Sequence, residues 1–293
     1  MRKVLVLIGL AFVSFAGIAR AQEEAAEAPA ATEPAADPAG DPAMAEPAAA
    51  EPAAAMAAPA GYPDEYALRP LNVSAGMLEV TVPVVVNLSK EMVGKPINVP
   101  LMVRYGVTEE LELSLSHSTG LCLTGKDNGC AKVYNDVMIG ASYSFMKDSE
   151  LELAALVGLD IWHLSDPMMM AADVGVALKY NTGAIGIKAA PQVEIGLNKR
   201  DAGNVKQVIG LPVEVAFQAS PELAPFLQTG IAGPTDGFAD SYIVPLGIGA
   251  NYLLSHGLDL GAIFTLPMVA TGMSGNKAFD SRTLTIYAAW RNL

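Results

Sequence analysis

The chain has 293 residues, with 31 acidic side chains against 18 lysines and arginines, a formal net charge of −13 and 52% hydrophobic residues. An acid surplus without a basic run excludes a nucleic-acid partner, which would need a positive face. Two cysteines are too few for a disulfide-dense scaffold, and without histidine beside them they leave a metal shell half filled. Residues 1–21 read as a secretory signal peptide: Arg2 and Lys3, the apolar run "VLVLIGLAFVSFAGI", then Ala19-Arg20-Ala21 as a small-residue cleavage site. The run falls short of the roughly 20 residues that a membrane helix needs.

Residues 22–61 form a second unit, in which a short acid-Pro-Ala motif recurs at Glu33, Asp37, Asp41, Glu46 and Glu51. Proline removes donors, alanine buries little area and the carboxylates repel, so this tract reads as a disordered, partly polyproline spacer. It holds eight of the 31 acids and no base. Beyond it, residues 62–293 make one domain of ordinary size with no apolar run long enough for a membrane helix.

Apolar residues in that domain recur by twos. "LELSL", "IGIKA", "VEVAF" and "LTIYAAW" alternate as half-buried strands do, between turn signals such as Asn-Thr-Gly and Ser-His-Gly. About twelve strands follow, near 76–88, 97–106, 110–118, 133–146, 150–162, 169–181, 184–198, 206–218, 223–233, 241–254, 257–268 and 282–293. Turns after even-numbered strands are tight and loops after odd-numbered strands are long, and both ends of the domain fall on the tight-turn side. Prolines 83, 100, 191, 212, 225, 245 and 267 lie within strands and read as bulges that bend the wall.

The two faces of each strand differ. Leu111, Leu113 and Leu115 share one face of their strand and Glu112, Ser114, Ser116 and Ser118 the other. Elsewhere the second face carries Ser142, Ser144, Gly175, Gly186, Gln192, Gly210, Gly247, Gly249, Asn251, Gly261 and Thr265. A dry core is not built of glycine, serine and carboxylate, so this face is expected to meet water inside a tube while the apolar face meets lipid. A lipocalin-like barrel or a secreted sandwich remains the soluble alternative.

With leader, alternation, loop asymmetry and strand-end aromatics such as Tyr105, Tyr143, Tyr252 and Trp290, residues 70–293 resemble the bacterial outer-membrane β-barrel proteins of Gram-negative cells. The resemblance implies an all-β fold, a closed antiparallel transmembrane β-barrel, with the spacer in the periplasm. It also implies outer-membrane lipid and the barrel-assembly machinery as partners. The ending departs from the usual terminal aromatic, since Trp290 lies three residues short of Leu293.

Cys122 and Cys130 flank a hydrophilic loop and, in an exported protein, read as a disulfide. Lumen-facing charges near the tight-turn end have both signs. Arg104, Lys179, Lys188 and Arg291 stand with Glu79, Glu112, Glu152, Glu214 and Asp259, and they are expected to pair across strands. Near the long-loop end Asp136, Asp160, Asp173 and Glu194 form an acidic mouth expected to attract cations.

His117 counts onto the lipid face at the outer rim. With Thr119 and Asn135 it resembles, on these residues alone, the outer-membrane phospholipase A family; that implies His117 as base, Thr119 as nucleophile in place of serine, and Asn135 as the orienting group. The leading expectation is not an enzyme. It is a narrow porin-like channel for small polar or cationic solutes, without cofactor. The alternative is a barrel anchor whose spacer reaches a periplasmic partner or the cell wall, and the lipid hydrolase is the remote one.

Overall fold

A computed structural model describes residues 61–90, 92–130, 132–162, 164, 168–198, 207–273 and 278–293. The signal peptide and all of the spacer but Gly61 lie outside the described residues.

Twelve strands close into an antiparallel barrel. In chain order they are β1 Leu78–Asn87, β2 in two pieces, Ile97–Val99 and Met102–Gly106, β3 Leu111–Ser116, β4 Asp136–Lys147, β5 Leu151–Trp162 and β6 Met169–Thr182. They continue with β7, also in two pieces, Ile185–Ala189 and Gln192–Gly196, then β8 Gln207–Phe217, β9 Leu223–Pro234, β10 Ile243–Ser255, β11 Leu258–Thr271 and β12 Thr283–Arg291. Each strand pairs with its sequence neighbours, and β1 closes on β12 in unbroken register from Glu79↔Arg291 to Asn87↔Thr283. Closure removes the free edges that an open sheet would expose, which lipid cannot satisfy.

The strand faces differ in what they carry. Ile139 (54% exposed), Val157 (56%), Ile248 (63%) and Ile286 (55%) stand outward, whereas Glu112, Glu152, Glu214 and Asp259 are buried inward. Branched aliphatics that bare while carboxylates lie inside suit a wall with lipid outside and polar groups within. Among the described residues no helix is long and apolar enough to cross a membrane.

The prolines act in two ways. Pro100 separates the pieces of β2, Pro191 lies between the pieces of β7, and the β10–β11 register shifts around Pro245. Pro83, Pro212 and Pro225 sit in register opposite Tyr287, Gly230 and Ala250, without a break.

Where β2 breaks, β3 breaks beside it. The chain kinks at His117–Gly120 and resumes as a two-residue strand, Leu121–Cys122, against Ile97–Val99. The kink frees backbone donors, and Asp136 collects them: its carboxylate accepts from the N–H of Ser118, Thr119 and Gly120 and from the hydroxyls of Ser118 and Thr119. His117, counted onto the lipid face, is instead buried at 4% exposure because the strand ends at Ser116 and its alternation stops there; Nδ1 lies 2.6 Å from the Leu101 carbonyl oxygen and Nε2 2.7 Å from the Tyr134 hydroxyl. A carbonyl only accepts, so Nδ1 carries a proton, and in the neutral imidazole Nε2 receives the Tyr134 O–H. The loop beyond holds the Cys122–Cys130 disulfide, eight residues apart. Because it closes a loop rather than the wall, reduction should leave the folded barrel's heat-modifiable gel migration intact. Unfolding on reduction would contradict this.

The segment before β1 is not wall. Gly61 to Met77 turns into the barrel from the short-turn end, forms a 3-10 turn at Tyr66–Leu68, and leaves by way of Gly76, whose N–H meets the Gly106 carbonyl at 2.7 Å.

Candidate functional site

Inside the short-turn end the inward charges form a ladder. Arg104 bridges Glu112 at 2.7 Å and Glu79 at 3.0 Å; Arg291 bridges Glu79 at 3.0 Å and Asp259 at 2.7 Å. The register explains the order, since Glu79 stands opposite Arg104 on one side and Arg291 on the other. The ladder therefore crosses the seam where the last strand meets the first. Buried charges hold only as satisfied pairs, so each carboxylate here fixes an arginine and is fixed by it.

The other pair of acids and the two lysines stand in direct register, Glu152↔Lys179, Lys179↔Lys188 and Lys188↔Glu214. Besides Gln228, which donates to Glu214 at 3.2 Å, they bond the entering segment. Glu152 accepts from the Leu71 N–H at 2.8 Å, Lys179 donates to the Leu68 carbonyl at 2.6 Å, and Glu214 accepts from the Tyr66 hydroxyl at 3.0 Å. Lys188 lies 5.3 Å from the Tyr66 ring centre, within cation–π range. Cross-strand neighbours of like charge, Lys179 beside Lys188, are unfavourable alone and are offset by the flanking acids and the segment's carbonyl.

The segment joins the ladder as well. Arg69 reaches both oxygens of Asp259, at 2.5 and 3.0 Å, the Val73 N–H donates to Glu112 at 2.8 Å, and Arg104 donates to the Leu71 carbonyl at 2.5 Å. Asn72 donates to the Glu110 carbonyl at 2.6 Å and accepts from the Ser142 hydroxyl at 2.6 Å. One apolar anchor completes the seat: Tyr66 stacks on Phe226 with centroids 5.7 Å apart, beside Ala67, Ala216 and Ile263. Glycine makes the seat possible. A Cβ at Gly186 would overlap the Ala67 carbonyl, and one at Gly249 would overlap the Phe226 ring.

Above this floor lies a cavity of about 370 Å³. Its lining mixes Ser114, Gln192, Gln228 and Asn251 with Met138 and Phe226, so it is less uniformly polar than the glycine- and serine-rich inner face led us to expect.

The four carboxylates at the long-loop end divide. Asp136 is spent on the kink at His117–Gly120. Asp160, Asp173 and Glu194 stand on neighbouring strands β5, β6 and β7, Glu194 directly opposite Asp173, and all three are buried; Asp173 lines the cavity. The triad of the phospholipase resemblance is not assembled. His117 contacts Leu101 and Tyr134, the Thr119 hydroxyl contacts Asp136, and the Asn135 amide serves the backbone of Gly120 and Lys132. Among the described residues, no three His, Cys, Asp or Glu side chains gather as a metal site would require.

No family model and no curated protein matches the chain. Solved structures do match its fold. The NanC porin superposes with a TM-score of 0.54 at 10% identity, over 72% of this chain and 98% of the porin. The KdgM porin gives 0.52 at 8% identity, over 72% and 98%. An outer membrane channel from Pseudomonas putida F1 gives 0.50 at 12% identity, over 80% and 100%. At such identities the likeness is one of fold: this chain is a closed antiparallel β-barrel built as the barrels of these porins and channels are.

Proposed function

We propose that the protein is a porin-like channel of the outer membrane for small polar solutes, cations included, and that its own segment Gly61–Met77 closes the periplasmic end. The observation that carries this reading is the cavity of about 370 Å³ inside a closed barrel, floored by a segment that belongs to no strand. A barrel that served only as an anchor has no need of a hollow. The floor is held by hydrogen bonds and ion pairs to lumen side chains, which can exchange with water more readily than a strand can leave a sheet. KdgM, one of the structures sharing the fold, has been captured in complex with oligogalacturonate, which supports passage of small solutes as a use of this architecture.

Proteoliposome swelling tests the reading. Vesicles carrying the protein should swell in isosmotic small sugars and amines and stay unresponsive in polymers wider than the lumen, and deletion of Tyr62–Pro70 should speed the response. Vesicles that stay inert with the deleted protein would move the weight to the anchor reading, in which the spacer is the working part.

The acidic trio bears on the solute class. Replacing Asp160, Asp173 and Glu194 together by Asn, Asn and Gln removes three negative charges near the outer mouth. The reversal potential under a salt gradient is expected to move toward anions. Because the three are buried, salt should screen them less than it screens surface charges. An unchanged potential would remove them from the selectivity account.

A further inference from the structure

The floor segment acts on the lumen mainly as a donor. It gives the Arg69 guanidinium to Asp259, the Tyr66 hydroxyl to Glu214, and the N–H groups of Leu71 and Val73 to Glu152 and Glu112. The most directional of these is the Arg69 fork, which meets both oxygens of an aspartate that is 1% exposed. Planar guanidinium against carboxylate is a shape match that a spherical ion cannot reproduce. The Tyr66 ring, 5.5 Å from the guanidinium carbon, forms one side of the niche.

Withdrawal of the segment changes the balance at this level. Arg104, Lys179, Lys188 and Arg291 would face Glu79, Glu112, Glu152, Glu214 and Asp259, four bases against five acids. Asp259 would keep Arg291 on Oδ2, but its Oδ1 would lose the hydrogen bond that, among the described residues, Arg69 supplies. Glu214 would keep Gln228 and lose the Tyr66 hydroxyl. A buried carboxylate stripped of a donor is costly, so the vacated floor favours whatever restores one. Phe226, freed of its stack on Tyr66, would present a ring face to the same space.

We infer that the niche now filled by Arg69 is a solute site for small guanidinium-bearing cations, with Asp259 as acceptor, and that such a solute competes with Arg69 and eases the segment out. The niche and the competition stand on the geometry of the floor; only passage of the solute afterwards rests on the channel reading.

The two can be tested apart. A cysteine placed at Leu71, in the floor, reports on seating through its labelling by a polar thiol reagent in proteoliposomes, since Cys122 and Cys130 are bonded to each other. Guanidinium and arginine, well below denaturing concentrations, should raise the labelling rate severalfold over sodium at equal ionic strength. Tetramethylammonium has charge without N–H donors and urea has donors without charge, and neither should act. Adding Arg69→Gln should give fast labelling in sodium and abolish the response to guanidinium. Equal rates in all five solutes, sodium included, would overturn the site, and so would a full guanidinium response in the Arg69→Gln background. Labelling that responds in a protein carrying no current would keep the site and reject the channel; current without a labelling response would do the reverse.

Discussion

Substituting Gly186 by valine is expected to open the periplasmic end. Gly186 lies in β7 with its missing side chain directed at the floor, where any Cβ would overlap the Ala67 carbonyl. Valine suits a strand, so the wall should tolerate it while the Tyr66–Leu68 turn must move away. That displacement pulls on the Tyr66 stack with Phe226, the Lys179 bond to Leu68 and the adjoining Arg69 fork. Single-channel conductance in planar bilayers should rise severalfold over the unaltered protein, with the folded barrel's gel migration unchanged. Conductance equal to that of the unaltered protein would show that the segment does not obstruct the lumen.

Arg291→Met should cost stability rather than closure. Arg291 is 2% exposed and joins Glu79 on β1 to Asp259 on β11 across the seam between the last strand and the first. Removing one partner from a buried ionic network leaves carboxylate charge without full compensation, at about 3 kcal/mol or more. Glu79 keeps Arg104 and Asp259 keeps Arg69, which places the loss near the lower end of that range. Denaturant unfolding followed by tryptophan fluorescence should show a lower midpoint, and Glu79→Gln added to Arg291→Met should recover part of it. No change in midpoint would mean that the seam is held by backbone pairing alone.

The wall was legible in the sequence because a barrel repeats one simple rule. Leu111, Glu112, Leu113 and Ser114 announce their faces by alternation, and each tight turn announces itself by glycine or a polar cluster, so strand spans and closure follow from local pattern. The floor was not, because "YPDEYALRPLNVSAGM" obeys no period and makes bonds with residues far along the chain, Arg69 with Asp259 at a separation of 190 and Gly76 with Asn292 at 216. One signal was present. Composition changes after Gly61 from alanine, proline and acid to tyrosine, leucine, asparagine and arginine, which a disordered spacer has little reason to carry.

The inward charges show the same division. Glu79, Arg104 and Arg291 pair with one another by register, and register is local. Glu152, Lys179 and Glu214 stand in matched register too, yet their bonds go to Leu71, Leu68 and Tyr66. Asp136, counted onto the lumen face as part of the acidic mouth, serves the wall, because a kink in the neighbouring strand needs an acceptor and periodicity does not reveal kinks.

The most direct measurement of the central claim is the bilayer current carried by protein lacking Tyr62–Pro70, compared with the intact chain under the same potential. The deletion removes the Tyr66 anchor and the Arg69 fork while leaving every wall strand in place. Stable openings of larger conductance in the deleted protein, against smaller or intermittent ones in the intact chain, are the expected result. Folded deleted protein that carries no current would contradict a channel closed by its own N-terminal segment.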